Sequence, residues 1–446
     1  MSGEGGDAAE TGGGTTAGDV DGRGSAIGRA GVAPRWDAEP VRRVGGWWIA
    51  AFSIAWLGVW IAQLTPLQYL LPLQVDGLFP GGSWQQSVLD FGLISGVAAL
   101  CSVIAYPLTG ALSDRTTGRL GRRRPWIAVG ALLFAASLAV LAVQDTVVGV
   151  TVCWAFASTG FCTLSAALTA LISDQVPVGQ RGFVSGLMSA PQALGVILGV
   201  LLVMLLFTGA IAGYLAVAVL LLVLVAPFLF LVPDAELPRR ARPAWTWRAF
   251  LAGFWISPTR HPDFGWTLLS RILVNIGNAL GTSLLLYFLL FGLGRATAED
   301  DLLVLIVVYA ITATLASVIC GRLSDRWGRR KAFVWASSAL QALGGVLLAV
   351  WPSYEMAIAG AALIGLGYGC FLSVDQALAT QVLPSAVSRG KDLGIMNIAW
   401  AVPQALAPLI GALLVTAFGG FSALFVAAAV FAVAGALTVL PIRSVR

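Results

Sequence analysis

Residues 110–124 read Gly-Ala-Leu-Ser-Asp114-Arg115-Thr-Thr-Gly-Arg-Leu-Gly121-Arg122-Arg123-Arg124, and residues 321–331 read Gly-Arg-Leu-Ser-Asp325-Arg326-Trp-Gly328-Arg329-Arg330-Lys331. Each stretch follows a long apolar run, and the first copy has extra residues between its Asp-Arg and its Gly. A second matched pair comes later in each half of the chain. Residues 176–194 hold Val-Pro, Arg181-Gly182, Gly186-Leu-Met and Pro191-Gln-Ala-Leu. Residues 383–406 hold Leu-Pro, Arg389-Gly390, Gly394-Ile-Met and Pro403-Gln-Ala-Leu. Two landmarks repeated in the same order mean a duplicated unit, and parallel repeats in a membrane chain point to rocking around a midplane site.

The composition places that unit in a bilayer. Of 446 residues, 58% are apolar and 11% are charged. Soluble domains carry roughly 25% charged residues, and a soluble chain of this length could not hide so much apolar surface. One histidine and five cysteines exclude a His-rich or Cys-rich metal protein, and no cofactor or metal is implied. A crossing helix needs about 20 apolar residues. On that rule twelve helical spans are expected near 46–72, 88–112, 126–144, 147–173, 182–208, 210–232, 264–292, 301–321, 332–350, 355–381, 392–415 and 419–441. The alternation of outer-membrane barrel strands is absent. The expected fold is an all-α membrane protein of twelve transmembrane helices in two six-helix, pseudo-repeated halves.

Basic residues set the orientation. Of 27 Lys and Arg, Arg271 lies in a span and Arg295 in an outer loop. The remaining 25 fall on the side of the two termini if both termini are cytoplasmic. The expectation is therefore a multi-pass protein of the plasma membrane with both termini inside. It is expected to act as a monomer, and the net charge of +5 belongs to this anchoring rather than to nucleic-acid binding. Residues 1–44, rich in Gly, Ala, Asp and Thr, read as a disordered cytoplasmic tail. The six-helix bundles are then 45–232 and 264–446. The central loop, 233–263, holds Trp245, Trp247, Phe250 and Trp255 beside arginines, which suits a helix lying on the inner membrane surface; a plain linker is the alternative.

The repeated Gly-x-Leu-Ser-Asp-Arg…Gly-Arg-Arg pattern, six spans apart, resembles the signature of the major facilitator superfamily. The longer first copy, Ser113-Asp114-Arg115-Thr-Thr-Gly-Arg-Leu-Gly121-Arg-Arg-Arg-Pro125-Trp126, resembles the form found in plant sucrose transporters, their animal relatives, and glycoside–pentoside–hexuronide:cation symporters. The resemblance covers about residues 45–441. It implies spans 1, 4, 7 and 10 lining a cavity, and symport of a sugar with a proton or sodium. The loops themselves suit a cytoplasmic gate made of Asp114, Arg115, Arg122, Asp325, Arg326 and Arg329. Their acids can pair with arginines or cap a helix across the seam between halves. Exposed pairs of that kind contribute only about 0–1 kcal/mol, which suits a contact that breaks each cycle.

Two charges lie at membrane depth, where each costs roughly 2.5–3.5 kcal/mol and so usually faces a partner or a cavity. Arg271 is seven residues into span 7 and Asp375 seven residues into span 10 from the same side, each about 10 Å deep. An Arg271–Asp375 pair is expected, with Asp375 as the proton carrier. Snorkelling of Arg271 and a purely structural pair are the alternatives, and Asp90 is the second choice as carrier. Substrate contacts are sought among polar residues sharing helix faces. These are Arg271, Asn275 and Asn278 on span 7, Asn397, Trp400 and Gln404 on span 11, and Gln63, Gln68 and Tyr69 on span 1. Amides serve sugar hydroxyls and aromatic rings cover its apolar face. Such side chains also hold helices together. The readings weighed are a proton-coupled sugar or glycoside importer and a proton-coupled exporter of drugs or metabolites. Against export, span 5 reads Ser189-Ala-Pro191-Gln-Ala-Leu-Gly195, without the Gly-Pro pairing common in exporters. A membrane enzyme lacks its constellation of nucleophile, base or clustered carboxylates, and a non-transporting receptor would not need the ion pair.

Overall fold

The computed structural model describes residues 40, 43–177, 180, 181, 184, 189–242, 246, 262–381 and 389–442, without the side chains of 189, 190, 241, 325, 376–381, 389–398, 400 and 401. The expected tail up to residue 39 and the expected surface helix of the central loop lie outside the described residues.

The chain folds into helical rods, and no strand occurs among the described residues. In the first half they are α1 (Gly46–Gly77), α2 (Trp84–Ser113), α3 (Arg124–Leu141), α4 (Val147–Gln175), α5 (Ser189–Leu206) and α6 (Ala210–Leu231). In the second half they are α7 (Pro262–Gly292), α8 (Ala298–Trp327), α9 (Arg330–Val350), α10 (Tyr354–Gln381), α11 (Arg389–Phe418) and α12 (Ser422–Leu437). Among the described residues, nine are long and apolar enough to cross a bilayer; α5, α11 and α12 contribute shorter apolar stretches, Pro191–Leu206, Val402–Phe418 and Ser422–Leu437. The apolar windows of α6 and α8 bury only 33% and 28% of their residues. Leu205, Leu206, Phe230 and Ile319 stand exposed. A soluble surface does not carry apolar patches of that extent, so these faces meet lipid.

Local sequence explains the ends. Ser83 and Thr146 cap α2 and α4 through the amides of Gln86 and Gly149. Gly328 closes α8 in the left-handed region, at φ +65°, where a residue without Cβ is favoured. The sequence reading placed α1 and α7 as continuous spans; both are interrupted. Each contains a wide turn, Pro66–Leu70 and Phe288–Gly292. In α1 the prolines Pro66 and Pro72 remove two backbone donors, which is enough to disturb the ladder.

The halves repeat in packing as well as in sequence. In the first half α4 packs on α2 and α3, α1 on α5 and α6, and α3 on α6. In the second half α10 packs on α8 and α9, α7 on α11 and α12, and α9 on α12. Adding six to each helix number converts one set into the other. The halves meet where α2 packs on α11 and α5 on α8. The α2–α11 contact is close because Gly92 and Gly96 face α11. A Cβ on Gly92 would sit 3.2 Å from the Pro408 carbonyl, and one on Gly96 would sit 2.6 Å from Leu409.

Candidate functional site

One end of the bundle carries the arginine-rich loops. Its hub is Arg123, whose side chain is 4% exposed. It donates to Asp174 at the end of α4 (2.8 Å), to Ser113 (2.5 Å) and to Asp114 (2.5 Å). Arg122 pairs with the other oxygen of Asp174 at 2.7 Å. Burial alone would lower the Arg123 pKa, but Asp174 and Asp114 outweigh it and hold the guanidinium above its usual value. Of the two contacts expected for the gate acids, a nearby arginine or a helix end across the seam, Asp114 makes the first, with Arg123 of its own half. Arg115 is half-buried and Arg326 and Arg329 are exposed; the side chain of Asp325 lies outside the description.

Sequence reasoning missed Asp234, in the segment that leaves α6. Its carboxylate accepts from the backbone amides of Arg123 (2.5 Å) and Arg124 (2.9 Å), capping α3. Gly121, at φ +92°, permits this approach, since a Cβ there would meet Asp234 at 2.5 Å. Burial pushes the Asp234 carboxyl up, and the two amide bonds offset part of that rise. Arg124 donates to the carbonyls of Leu229 and Phe230 at the end of α6. In the second half the matching Lys331 donates to the carbonyl of Ile442, just past α12. Both copies of the motif thus use their third basic residue to hold the last helix of their half.

Inside the second half, Arg271 Nη1 lies 3.0 Å from Asp375 Oδ2, with side chains 3% and 2% exposed. The helices α7 and α10 that carry them are the pair whose equal depth suggested the contact. Along α7, Asn275 donates to the Arg271 carbonyl (2.7 Å) and accepts from Tyr368 (3.0 Å), and Asn278 donates to Tyr309 (3.1 Å). Neither asparagine is placed as a free substrate contact. Both are buried, and their amides are taken up by two tyrosines that the sequence reading did not select. The pair is not saturated. Arg271 Nε, buried with the rest of the side chain, has no hydrogen-bond partner among the described residues.

In the first half, Gln63 is half-buried and its Oε1 lacks a partner among the described residues; Gln68 is half-buried too. Beside Gln63, Trp56 and Trp60 stack at 5.8 Å, and Trp60 meets Phe161 of α4 at 5.9 Å. The Trp56 indole N–H is likewise unpartnered. This aromatic wall follows i, i+4 on α1 and could have been read from the sequence. Gln404 is half-buried on α11; the side chains of Asn397 and Trp400 lie outside the description.

Tyr69 has a different position from the one expected. Its hydroxyl donates to Glu299, at the start of α8, across the seam at the end opposite the arginine-rich loops. Other ties gather there. Trp84 of the first half stacks between Phe291 (6.0 Å) and Phe421 (5.8 Å) of the second. Tyr287 donates to the Pro72 carbonyl (2.9 Å) and packs on Phe91. Asp90, 6% exposed, accepts from Gln86 at 2.9 and 3.0 Å nearby.

The described residues thus form two six-helix halves with one packing pattern, an ion pair inside one of them and a seam tied at one end. Residues 48–316 and 296–445 match the model of the Major Facilitator Superfamily, and the chain belongs to that family. It is 32% identical over 117 residues to a triacylglyceride transporter of Mycobacteroides abscessus, covering 26% of this chain and 22% of that one. It is 27% identical over 114 residues to a major facilitator superfamily multidrug transporter of Aspergillus fumigatus, covering 26% and 22%. These matches thus span about a fifth of the length of the curated relatives. The fold is similar to that of the nucleoside transporter NupG, with a TM-score of 0.68 at 14% identity, covering 89% of this chain and 98% of that one.

Proposed function

We propose that the chain is a secondary active transporter that moves a sugar or glycoside together with a proton by alternating access. The observation that carries this reading is the Arg271–Asp375 pair, 3.0 Å apart and buried on two helices of one half. A carboxylate whose burial and pairing change as the halves rock can take up a proton on one side and release it on the other. The wall of Trp56 and Trp60, with Gln63 beside it, supports a sugar: rings cover its apolar face and amides bind its hydroxyls. The arginine-rich end is cytoplasmic on this reading, from the distribution of basic residues, and the seam at Trp84 is the outer closure.

The test is uptake into proteoliposomes under an inward proton gradient, with a panel of neutral and acidic sugars and glycosides, for wild type and Asp375→Asn. Gradient-driven uptake that Asp375→Asn abolishes while substrate exchange persists is the expected result. Driven uptake unchanged by the substitution removes Asp375 as carrier. The second reading, proton-coupled export of drugs or metabolites, is favoured by the likeness to the multidrug transporter. It becomes the leading one if folded protein takes up no sugar.

A further inference from the structure

The environment of Arg271 narrows the substrate. A buried guanidinium needs a counter-charge and acceptors for its five N–H groups. Here the described side chains give it one carboxylate oxygen at 3.0 Å, and Nε is left without a partner. The Asn275 amide, one turn on, donates to the Arg271 backbone carbonyl, and its side-chain oxygen is taken by Tyr368, so it offers the guanidinium nothing. Among the described residues, Arg271 is the charged group that acts on Asp375. Nearest the pair on the packed helices are the neutral Tyr309 and Tyr368, bound to the two asparagines, and Cys320 and Cys370, while the cations of those helices, Arg322 and Arg326 on α8, Arg330 and Lys331 on α9, and Arg389 and Lys391 on α11, stand toward the arginine-rich ends. The sequence offers no second carboxylate at that depth in the second half; its other acids, Asp263, Glu299, Asp300, Asp301, Asp325, Glu355 and Asp392, stand in loops or near helix ends.

A proton on Asp375 would therefore leave Arg271 as a lone buried charge, the arrangement that proteins avoid most. The protonated state is accessible when something else supplies the missing negative charge. We infer that the substrate supplies it: the transported molecule bears a carboxylate that replaces Asp375 on Arg271, so that one anion and one proton enter the site together. This rests on Asp375 being the carrier and names the substrate class for it, a sugar acid rather than a neutral sugar. The charge of the site is then the same empty, as Arg271⁺ with Asp375⁻, and loaded, as Arg271⁺ with substrate carboxylate and neutral Asp375. Translocation carries no net charge across the membrane. The guanidinium fork suits this exchange, because it can take two oxygens of a planar carboxylate through donors that Asp375 leaves unused.

The test is binding of glucuronate and of its neutral counterpart glucose to the purified full chain, by calorimetry, between about pH 5 and 8, a range in which the glucuronate carboxyl stays ionised. Because one proton is taken up with each carboxylate, wild-type affinity for glucuronate rises about tenfold per unit fall in pH. Asp375→Asn binds glucuronate tightly with no pH dependence, since Arg271 is already free. Arg271→Gln loses it at every pH, and so does the doubly neutral Arg271→Gln/Asp375→Asn, which leaves no unpaired charge to unfold the bundle. Glucose bound as well as glucuronate, or no Arg271-dependent binding of glucuronate, galacturonate or gluconate, overturns the inference. Failures are separable in proteoliposomes. Proton-driven, Asp375-dependent uptake of glucose alone would sink the anion inference and keep the symport reading. Glucuronate uptake driven by membrane potential but not by the pH gradient would sink both.

Discussion

The fourth helix of each half carries a carboxylate, and the two are used in opposite ways. Asp174 stands three residues before Pro177, and Asp375 nine residues before the matching Pro384. The difference of six residues moves the second carboxylate about 9 Å deeper. Asp174 keeps 19% of its side chain exposed and shares two loop arginines, Arg122 and Arg123. Asp375 keeps 2% and has one arginine from a neighbouring helix. Arg122 keeps 16% of its side chain exposed, whereas Arg123 is buried at 4% and holds Asp114 as well as Asp174, so this cluster spreads its charge over two acids and two bases with one side open to water. At depth an ion pair carries a desolvation penalty that only close pairing repays, so its protonation is tied to its surroundings. Leu168, nine residues before Pro177, marks the place in the first half where no such charge was put; it is fully buried. Duplication supplied two scaffolds, and only the second carries a carboxylate at this depth among the described residues.

This contrast can be broken by experiment. The largest effect is expected from Asp375→Ala, which strands Arg271 in the bundle and should cost about 3–5 kcal/mol, read as a fall in thermal stability in detergent. Arg271→Met/Asp375→Leu should regain most of that stability without regaining coupled uptake. Asp174→Ala leaves Arg123 its second carboxylate, Asp114, and leaves Arg122 partly open to water; if it costs as much as Asp375→Ala, the comparison fails. Next in size, Leu168→Asp creates at the equivalent depth a carboxylate without a guanidinium, for a loss of roughly 2.5–3.5 kcal/mol; no measurable loss would mean that water reaches this level of the first half.

Trp84→Ala tests whether the halves separate as units at the seam. Two aromatic stacks at about 0.5–1.5 kcal/mol each amount to about 1–3 kcal/mol. The closed state should then lose roughly ten- to a hundredfold in population, measured as faster labelling of Gln68→Cys in a background free of the five native cysteines. An unchanged rate would show that Tyr69–Glu299 and Tyr287 hold the seam without it. The smallest effect is at Asp234, where Asp234→Ala removes the cap of α3 for about 1 kcal/mol. Its sign with pH is distinctive. Because the folded pKa is raised from 3.8, its contribution is complete below that value and falls away as pH rises through the folded pKa. Protection of the amides of residues 121–124, taken relative to their intrinsic exchange rate at each pH, should therefore rise on acidification. Protection that falls instead would mean that the cap depends on the ionised form.

Much of this was legible in the residues. The twelve spans follow from runs of apolar side chains, and the duplication from two pairs of landmarks. The Arg271–Asp375 contact follows from two rare charges at one depth. What could not be read is which of several equal groups the fold selects. Arg122, Arg123 and Arg124 are chemically alike and adjacent, yet the backbone turn sends one to Asp174 alone, one into the interior, and one to the carbonyls of α6. Asp234 looked like one polar residue in a Pro-rich linker, because its partners are backbone amides 110 residues away. Tyr69 and Glu299 were read separately, as a substrate contact and a loop acid. Their meeting depends on how the halves dock, and no local pattern encodes that.

The ties around Gly121 also bear on the order in which the protein is built. Arg123 can meet Asp114 as soon as its own loop exists, and Asp174 once α4 is complete. The cap from Asp234, the bond from Arg122 to the carbonyl of Ala235, and the grip of Arg124 on α6 all need residues 229–235. The first half can therefore fasten its arginine-rich face once those residues are free to fold, with no contribution from the second half. Its counterpart, the bond from Lys331 to Ile442, waits for the residues that follow α12. A chain stopped shortly after Leu237 should leave the ribosome with its fold closed, and one stopped before Ile442 should leave with its second half open.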